Sequence, residues 1–250
     1  MDRGLRPVRL ALRADPRTTA RRSAGRAGQT RRSLQVLSVP VTACQQNCSG
    51  IWCTETTDGA VIDPGVLLEE ILAGAQEHGV RLTKILLTHA HIDHAGATAE
   101  LAKRFKLPIE GPHEGDRYWI EQLPAQARSF GFGKAEKFEP DRWLQQGDTV
   151  QVGNETLEVS HCPGHTPGHV VFFSRAAQLC FVGDVLFAGS IGRTDFPGGD
   201  YATLINSITH RLWPLGNEVT FVPGHGPTST FGEERQGNPF VGDRVLAAGR

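Results

Sequence analysis

From Leu34 onward the chain alternates short apolar runs with turn residues. L-Q-V-L-S-V-P-V, S-G-I-W-C-T-E-T and G-A-V-I-D-P-G read as three strands, the last two joined by a Thr57-Asp58-Gly59 turn. The next segment places Leu67, Ile71, Leu72 and Ala75 at helical spacing and stops at Gly79. The apolar run Ile85-Leu86-Leu87 then predicts a strand that ends near Thr88. A helix is expected over A-G-A-T-A-E-L-A-K-R-F, with Leu101, Ala102 and Phe105 facing inward, followed by a short strand at L-P-I-E-G-P. Between Glu114 and Gly147 the periodicity is weak, and helical and loop pieces are expected. Trp119, Phe130, Phe132, Phe138 and Trp143 read there as core and lid packing rather than a cofactor box. Alternation returns in T-V-Q-V, T-L-E-V-S-H, H-V-V-F-F-S and Q-L-C-F-V-G-D, with a further strand at T-F-V-P-G-H-G. Two runs of strands, each followed by helix, predict an α/β fold. Its form is a four-layer αββα sandwich, two mixed sheets packed together with helices outside, rather than a doubly wound parallel sheet.

The chemistry concentrates at strand ends. Thr88 to Gly96 reads T-H-A-H-I-D-H-A-G, which puts His89, His91, Asp93 and His94 within six positions. On an unbroken helix or strand these side chains diverge, so they converge only where the strand stops and the chain turns into a helix. Imidazole and carboxylate without paired thiolates suit a reactive zinc, iron or manganese site, whereas closed structural zinc sites usually use cysteine. Three later strand ends carry His165, Asp184 and His225, beside glycines at 164, 183 and 224 that remove bulk. Seven groups are too many for one ion. Two ions sharing Asp184 receive four protein contacts each. Asp63, which ends the third strand, reads either as a support for the metal loop or as a cap for the next helix. His113, His161 and His169 have no place in the ligand count, and His169 reads as a supporting residue.

Charge separates the chain into two parts. Ten arginines and two acids lie in residues 1–35, leaving 16 basic against 25 acidic residues in the rest. The boundaries expected are a disordered arginine-rich extension at 1–33, a catalytic domain at 34–241 and a C-terminal tail at 242–250. Three readings fit the extension: an organelle-targeting peptide, an anion-binding tail, or an upstream stretch from a misassigned start. No apolar run reaches the roughly 18 residues of a membrane span and no secretory signal pattern is present, so a cytoplasmic protein without a membrane partner is expected. The five cysteines, Cys44, Cys48, Cys53, Cys162 and Cys180, form no C-x-x-C pair and read as buried or incidental, with Cys162 nearest a metal motif.

The H-x-H-x-D-H motif, with a later histidine, aspartate and histidine at strand ends, resembles the metallo-β-lactamase superfamily from about Leu34 to Phe240. Q-N-C-S, P-G-H-T-P-G-H-V-V-F-F, G-R-T-D-F-P-G-G-D and P-G-H-G-P-T-S-T-F-G-E-E-R-Q-G-N-P-F resemble more narrowly the short bacterial type II glyoxalases, the hydroxyacylglutathione hydrolases. The resemblance implies one metal on His89, His91 and His165 and another on Asp93, His94 and His225, with Asp184 bridging. Zinc is the first expectation, with iron and manganese as alternatives. It further implies that a bridging hydroxide, oriented by Asp93, attacks the thioester of S-D-lactoylglutathione. Arg193 stands where long glyoxalases carry a basic residue that binds the peptide part of glutathione; its alternative is a surface ion pair with Asp195 or Asp200. The chain departs from the long enzymes in having Thr194-Asp195-Phe196 where a tyrosine is expected, and in lacking their C-terminal helical domain. Glutathione recognition is therefore expected to be weaker or different. A mononuclear-iron persulfide dioxygenase of the same fold, whose members share G-R-T-D-F, is the first rival, and His225 in its P-G-H-G context favours the hydrolase. A nucleic-acid-associated protein using the basic tail is the second, and the acidic body argues against a nucleic-acid partner.

Overall fold

The computed structural model describes residues 33–41, 46–65 and 68–248. Residues 1–32 of the arginine-rich extension, Cys44, Leu67 of the expected helical stripe and residues 249–250 of the expected tail lie outside the described residues. Strands β1 (Leu34–Val41), β2 (Gln46–Cys53) and β3 (Asp58–Ile62) form an antiparallel meander. Its second turn falls where the sequence places it, with Thr57 at φ +61°. Helix α1 (Glu69–Glu77) starts with two acids in its first turn, favourable beside the helix dipole, and buries Ile71. Strand β4 (Arg81–Leu86) then pairs parallel to β3.

Two short helices follow β4: α2 (Ile92–Ala95) and α3 (Thr98–Phe105), with β5 (Ile109–Glu110) closing the first sheet in the order β1-β2-β3-β4-β5. The single helix expected over 95–105 is therefore broken, because the Ala97 N–H leaves the helical ladder for the Pro64 carbonyl. Leu101 is buried as expected, but Phe105 is 42 % exposed. It lies in the last turn, beyond the packed part of α3, with the Arg104 guanidinium over its ring.

Helices α4 (Arg117–Glu121) and α5 (Leu123–Phe130) lead to the second run of strands: β6 (Thr149–Val152), β7 (Glu155–His161), β8 (Val170–Ser174) and β9 (Leu179–Gly183). A small hairpin, β10 (Leu186–Phe187) and β11 (Ser190–Ile191), precedes helix α6 (Tyr201–Ser207). Strands β12 (Thr220–Pro223) and β13 (Ser229–Thr230) complete a second sheet in the order β13-β12-β9-β8-β7-β6. Helix α7 (Phe231–Gly237) opens on a capping box between Thr230 and Glu233. Within the stretch expected as a tail, Asp243–Ala248 form a further helix, α8, tied back by an Arg235–Asp243 ion pair.

The period of two along the strands builds the layers. Phe172 and Phe181 point between the sheets, against Ile51, Ile62 and Leu86 of the first sheet. Their neighbours Phe173 and Val182 point the other way, against Leu204 of α6 and Phe231 of α7. On the first sheet Val61 and Ile85 face outward to Ile71, Leu101 and Leu123 of the helices. The result is the αββα sandwich, with the ends of β3, β4, β9 and β12 at one edge. Among the described residues no helix is long and apolar enough to cross a membrane.

Candidate metal centre

Asp63, just past β3, holds the loop that follows β4. It accepts from the Thr88 N–H at 2.7 Å, the Thr88 hydroxyl at 2.6 Å and His94 Nδ1 at 2.9 Å. Of the two sequence readings of Asp63, this is the support for the loop; the residue preceding α1 has no side-chain cap. These bonds also set tautomers. Thr88 donates its only hydroxyl proton to Asp63, so its oxygen accepts from His89 Nδ1 at 3.1 Å, which leaves the His89 Nε2 lone pair free to bind. His94 likewise keeps Nε2 as its open nitrogen. His165 donates Nδ1–H to the Arg193 carbonyl at 2.7 Å and turns its own Nε2 inward.

The structure brings all seven sequence-predicted ligands to this edge. Ligand atoms of His89, His91 and His165 lie within 4.8 Å of one another, as do those of Asp93, His94 and His225. His165 Nε2 is 3.0 Å from His91 Nδ1, and His94 Nε2 is 3.4 Å from His225 Nε2. Asp93 Oδ2 lies 3.1 Å from His225 Nε2. Asp184 stands between the groups, Oδ1 at 3.3 Å from His94 Nε2 and Oδ2 at 3.5 Å from His165 Nε2. Ligands about 2.0–2.1 Å from a tetrahedral ion are about 3.3–3.5 Å apart, and these separations cluster around that value. A third close group, Asp63 with His89 and His94, is accounted for by the hydrogen bonds above. His89 Nε2 is buried without a hydrogen-bond partner, an arrangement that is costly unless a cation satisfies it. The residues thus fit divalent metal ions.

The protonation states agree with that use. Burial and four neighbouring imidazoles hold His89 well below the ordinary histidine range, and burial with His165 pushes His91 down to about 3. Burial opposes charge on Asp184, but His94 and the other imidazoles outweigh it and keep the carboxylate ionised. Burial also opposes protonation of His94, yet Asp184 and Asp93 draw a proton to it and raise it well above its ordinary value. A metal displaces that proton, so protons compete with metal as pH falls.

Small residues make room for the cluster. A Cβ on Gly224 would stand 2.0 Å from Asp184 Oδ1 and 2.6 Å from His94 Cε1. Gly164 serves a different neighbour from the one its position beside His165 suggests: the backbone of Leu204 in α6 occupies the space a side chain would need.

Three supporting residues were assigned no role from the sequence or only a general one. Asp116 is fully buried and accepts from the Ala90 N–H at 3.0 Å, the Thr166 hydroxyl at 2.9 Å and the Gly168 N–H at 2.6 Å. One carboxylate therefore ties the loop between His89 and His91 to the loop after His165. Burial pushes its pKa up to about 7 against these three bonds. Gln126 accepts from the Ile92 N–H at 3.0 Å and donates to the Trp119 carbonyl at 3.0 Å. His169, read as supporting, accepts the Asp184 N–H on Nε2 at 3.0 Å and stacks on His89. Only the acidic residue after Gly115, itself pressed against Pro167, hints at the Asp116 clamp in sequence. Cys162, beside the metal motif, is buried with its thiol pushed up to about 12, which leaves it unreactive.

Asp116→Asn must turn an amide N–H2 toward a bound donor. A buried donor left without an acceptor costs about 1–3 kcal/mol, and displaced ligand supports lower metal affinity about 10–100-fold. Thermal unfolding and metal titration of the variant check this; unchanged values in both contradict the clamp.

A cavity of about 720 Å³ opens over the cluster, with His91, Asp93, His165, Asp184 and His225 at its floor. Arg193 lies at its rim. Its guanidinium pairs with Asp195 through two contacts of 2.6 Å and stacks on Phe196 at 4.0 Å. The ion pair read for Arg193 is present, with Asp195 as its partner.

A family model described as the metallo-beta-lactamase superfamily matches residues 41–225. Hydroxyacylglutathione hydrolase GloC of Haemophilus influenzae is 45 % identical over 212 residues, which cover 84 % of this chain and 100 % of that protein. Among solved structures, TTHA1623 in a di-iron-bound form superposes with a TM-score of 0.74 at 39 % identity, covering 81 % of this chain and 98 % of its own. BLEG-1, a B3 metallo-beta-lactamase, superposes with a TM-score of 0.76 at 33 % identity, covering 83 % of this chain and 99 % of its own.

Proposed function

The chain belongs to the metallo-β-lactamase superfamily and is a metal-dependent hydrolase, and from that premise we propose that it hydrolyses S-D-lactoylglutathione to D-lactate and glutathione at a centre of two divalent cations. The observation that carries the proposal is Asp184, whose carboxylate faces histidines of both ligand groups, His94 through Oδ1 and His165 and His225 through Oδ2. In this reading His89, His91 and His165 would hold one ion and Asp93, His94 and His225 the other, with Asp184 between the two groups. Zinc is the proposed occupant, and iron and manganese suit the same nitrogen and oxygen donors.

Two divalent cations supply, when bound, a water acidic enough to react near neutral pH and a positive contact for developing oxyanion charge. The chain's own residues do the rest. Asp63, Thr88 and the Arg193 carbonyl hold three imidazoles in the tautomers that present open nitrogens to the cluster. Asp93, at the cavity floor and less buried than the histidines of its motif, accepts a hydrogen bond from the attacking water and orients it. The cavity seats the thioester carbonyl over this floor. The water oxygen bonds to the carbonyl carbon, the carbon–sulfur bond breaks, and of the water's two protons one ends on the departing thiolate by way of solvent and the other is released as the acid product ionises to the carboxylate.

Arg193 is placed to meet a carboxylate of the glutathione carrier, in competition with Asp195. An exposed pair of this kind is worth about 1 kcal/mol or less, so Arg193→Ala is expected to raise KM about two- to fivefold, with the loss on KM rather than kcat. A loss of a hundredfold or more contradicts this modest role.

The reading is tested by following thiol release from S-D-lactoylglutathione with metal-loaded protein. Metal-dependent release supports it, and no release from a folded, metal-loaded sample sinks it.

A further inference from the structure

The cavity over the metal centre has two unlike walls. One comes from β10, β11 and the loop after them; it also carries apolar groups, Phe187, Ile191 and Phe196, but differs from the other in charge through Arg193, the one lysine or arginine on the lining among the described residues. The other comes from α4, α5 and the residues just after them. Tyr118, Trp119, Phe130 and Phe132 form its face, with the neutral Gln122 and Ser129 between them and no charged side chain.

Two of those rings are not explained by packing. Phe130 is 59 % exposed and Tyr118 51 % exposed, although both stand at the mouth of a concave site. Large apolar rings left open to water around a pocket mark a surface that a ligand covers. Trp119 continues the wall inward and meets His91 edge-on, with ring centroids 4.5 Å apart. Aromatic rings therefore stand both at the cavity mouth and beside the ligand cluster.

Charge distributes the two arms of a thioester between these walls. Glutathione carries two carboxylates and an ammonium, and Arg193 offers the one guanidinium on the lining among the described residues, with one edge already held by Asp195 through two nitrogens. The carrier thiol lies toward that wall, and the acyl group is left against α4 and α5. A lactoyl group, with one methyl and one hydroxyl, covers little of such a face, whereas a phenyl or long alkyl group covers much of it.

We propose that the α4–α5 wall is an acyl-binding surface for aromatic or extended alkyl groups, and that thioesters of such acids are better substrates than the lactoyl thioester. This rests on the thioesterase reading above and deepens it. One added methylene in a hydrophobic pocket is worth about tenfold or more in kcat/KM, and a phenyl in place of a methyl is expected to gain at least about that much.

The test compares S-mandeloylglutathione with S-D-lactoylglutathione on the metal-loaded protein. The two share a leaving group and differ by phenyl against methyl. Each kcat/KM is divided by the rate of the same thioester with hydroxide alone, which removes intrinsic reactivity. The expected ratio favours mandeloyl by about tenfold. In Phe130→Ala, and further in Phe130→Ala with Tyr118→Ala, the ratio falls about fivefold toward parity; both rings are half exposed, so neither change opens a hole in the core. A wild-type ratio below one, with lactoyl thioester still turned over, overturns this inference and leaves the thioesterase reading standing. A high ratio that the two variants do not lower overturns the assignment of the wall. Turnover of neither thioester overturns both readings.

Discussion

Asp184→Ala is expected to lower thioester turnover by about a thousandfold or more, the scale on which removing a main electrostatic support of a reaction acts. The size follows from position. Asp184 has His94 at 3.3 Å on one oxygen, and His165 at 3.5 Å and His225 at 3.6 Å on the other. Without it, the two ligand groups keep three residues each but lose the negative charge between two proposed cations. Both occupancies then weaken, and the second ion to bind suffers most. Asp184→Asn keeps the shape and removes the charge, so it separates electrostatics from packing; it is expected to fall nearly as far. Elemental analysis alongside kcat reads both effects. Two ions per chain and turnover within about tenfold of wild type in Asp184→Ala would contradict the bridging assignment.

Metal removal is expected to lower the unfolding temperature sharply. His89, His91, His94 and His165 are buried, and the ring nitrogens of His91 and His165 face each other at 3.0 Å. A cation that binds only the folded chain stabilises it by about 4 kcal/mol when its concentration is a thousand times its dissociation constant. For a chain of this size each kcal/mol moves the midpoint by about 2–4 °C, so stripping one ion costs about 8–16 °C and stripping both costs more. Calorimetry before and after chelation, followed by metal add-back, measures it. A midpoint that chelation leaves unmoved while metal is shown to be gone would contradict a cluster held together by cations.

Much of this was legible in the chain because the relevant signals are local. β8 and β9 are continuous apolar runs, and their period of two puts Phe172 and Phe173 on opposite faces of one sheet. The Thr57 turn and the Gly79 stop are short-range backbone signals, and both residues take positive φ. The candidate ligands stood out because they follow strand ends, with Asp93 and His94 in the short helix α2 just past β4, where the sequence interrupts an apolar pattern with groups that are costly to bury. What stayed hidden is non-local. The break between α2 and α3 comes from one hydrogen bond to Pro64, and the exposure of Phe105 depends on where the core beneath α3 ends. Asp116 and Gln126 act on Ala90 and Ile92 from 26 and 34 residues away, and nothing in the spacing announces such a pairing. For Arg193 both readings were present in the sequence, and only the geometry shows the guanidinium engaged by Asp195.

The most direct test of the central claim is metal content per chain with thioester turnover on the same sample, by elemental analysis of protein purified without added metal. The expected result is about two zinc, iron or manganese atoms per chain and hydrolysis of S-D-lactoylglutathione that falls in step with their removal. One iron atom per chain, no thioester hydrolysis, and oxygen uptake with glutathione persulfide would contradict it.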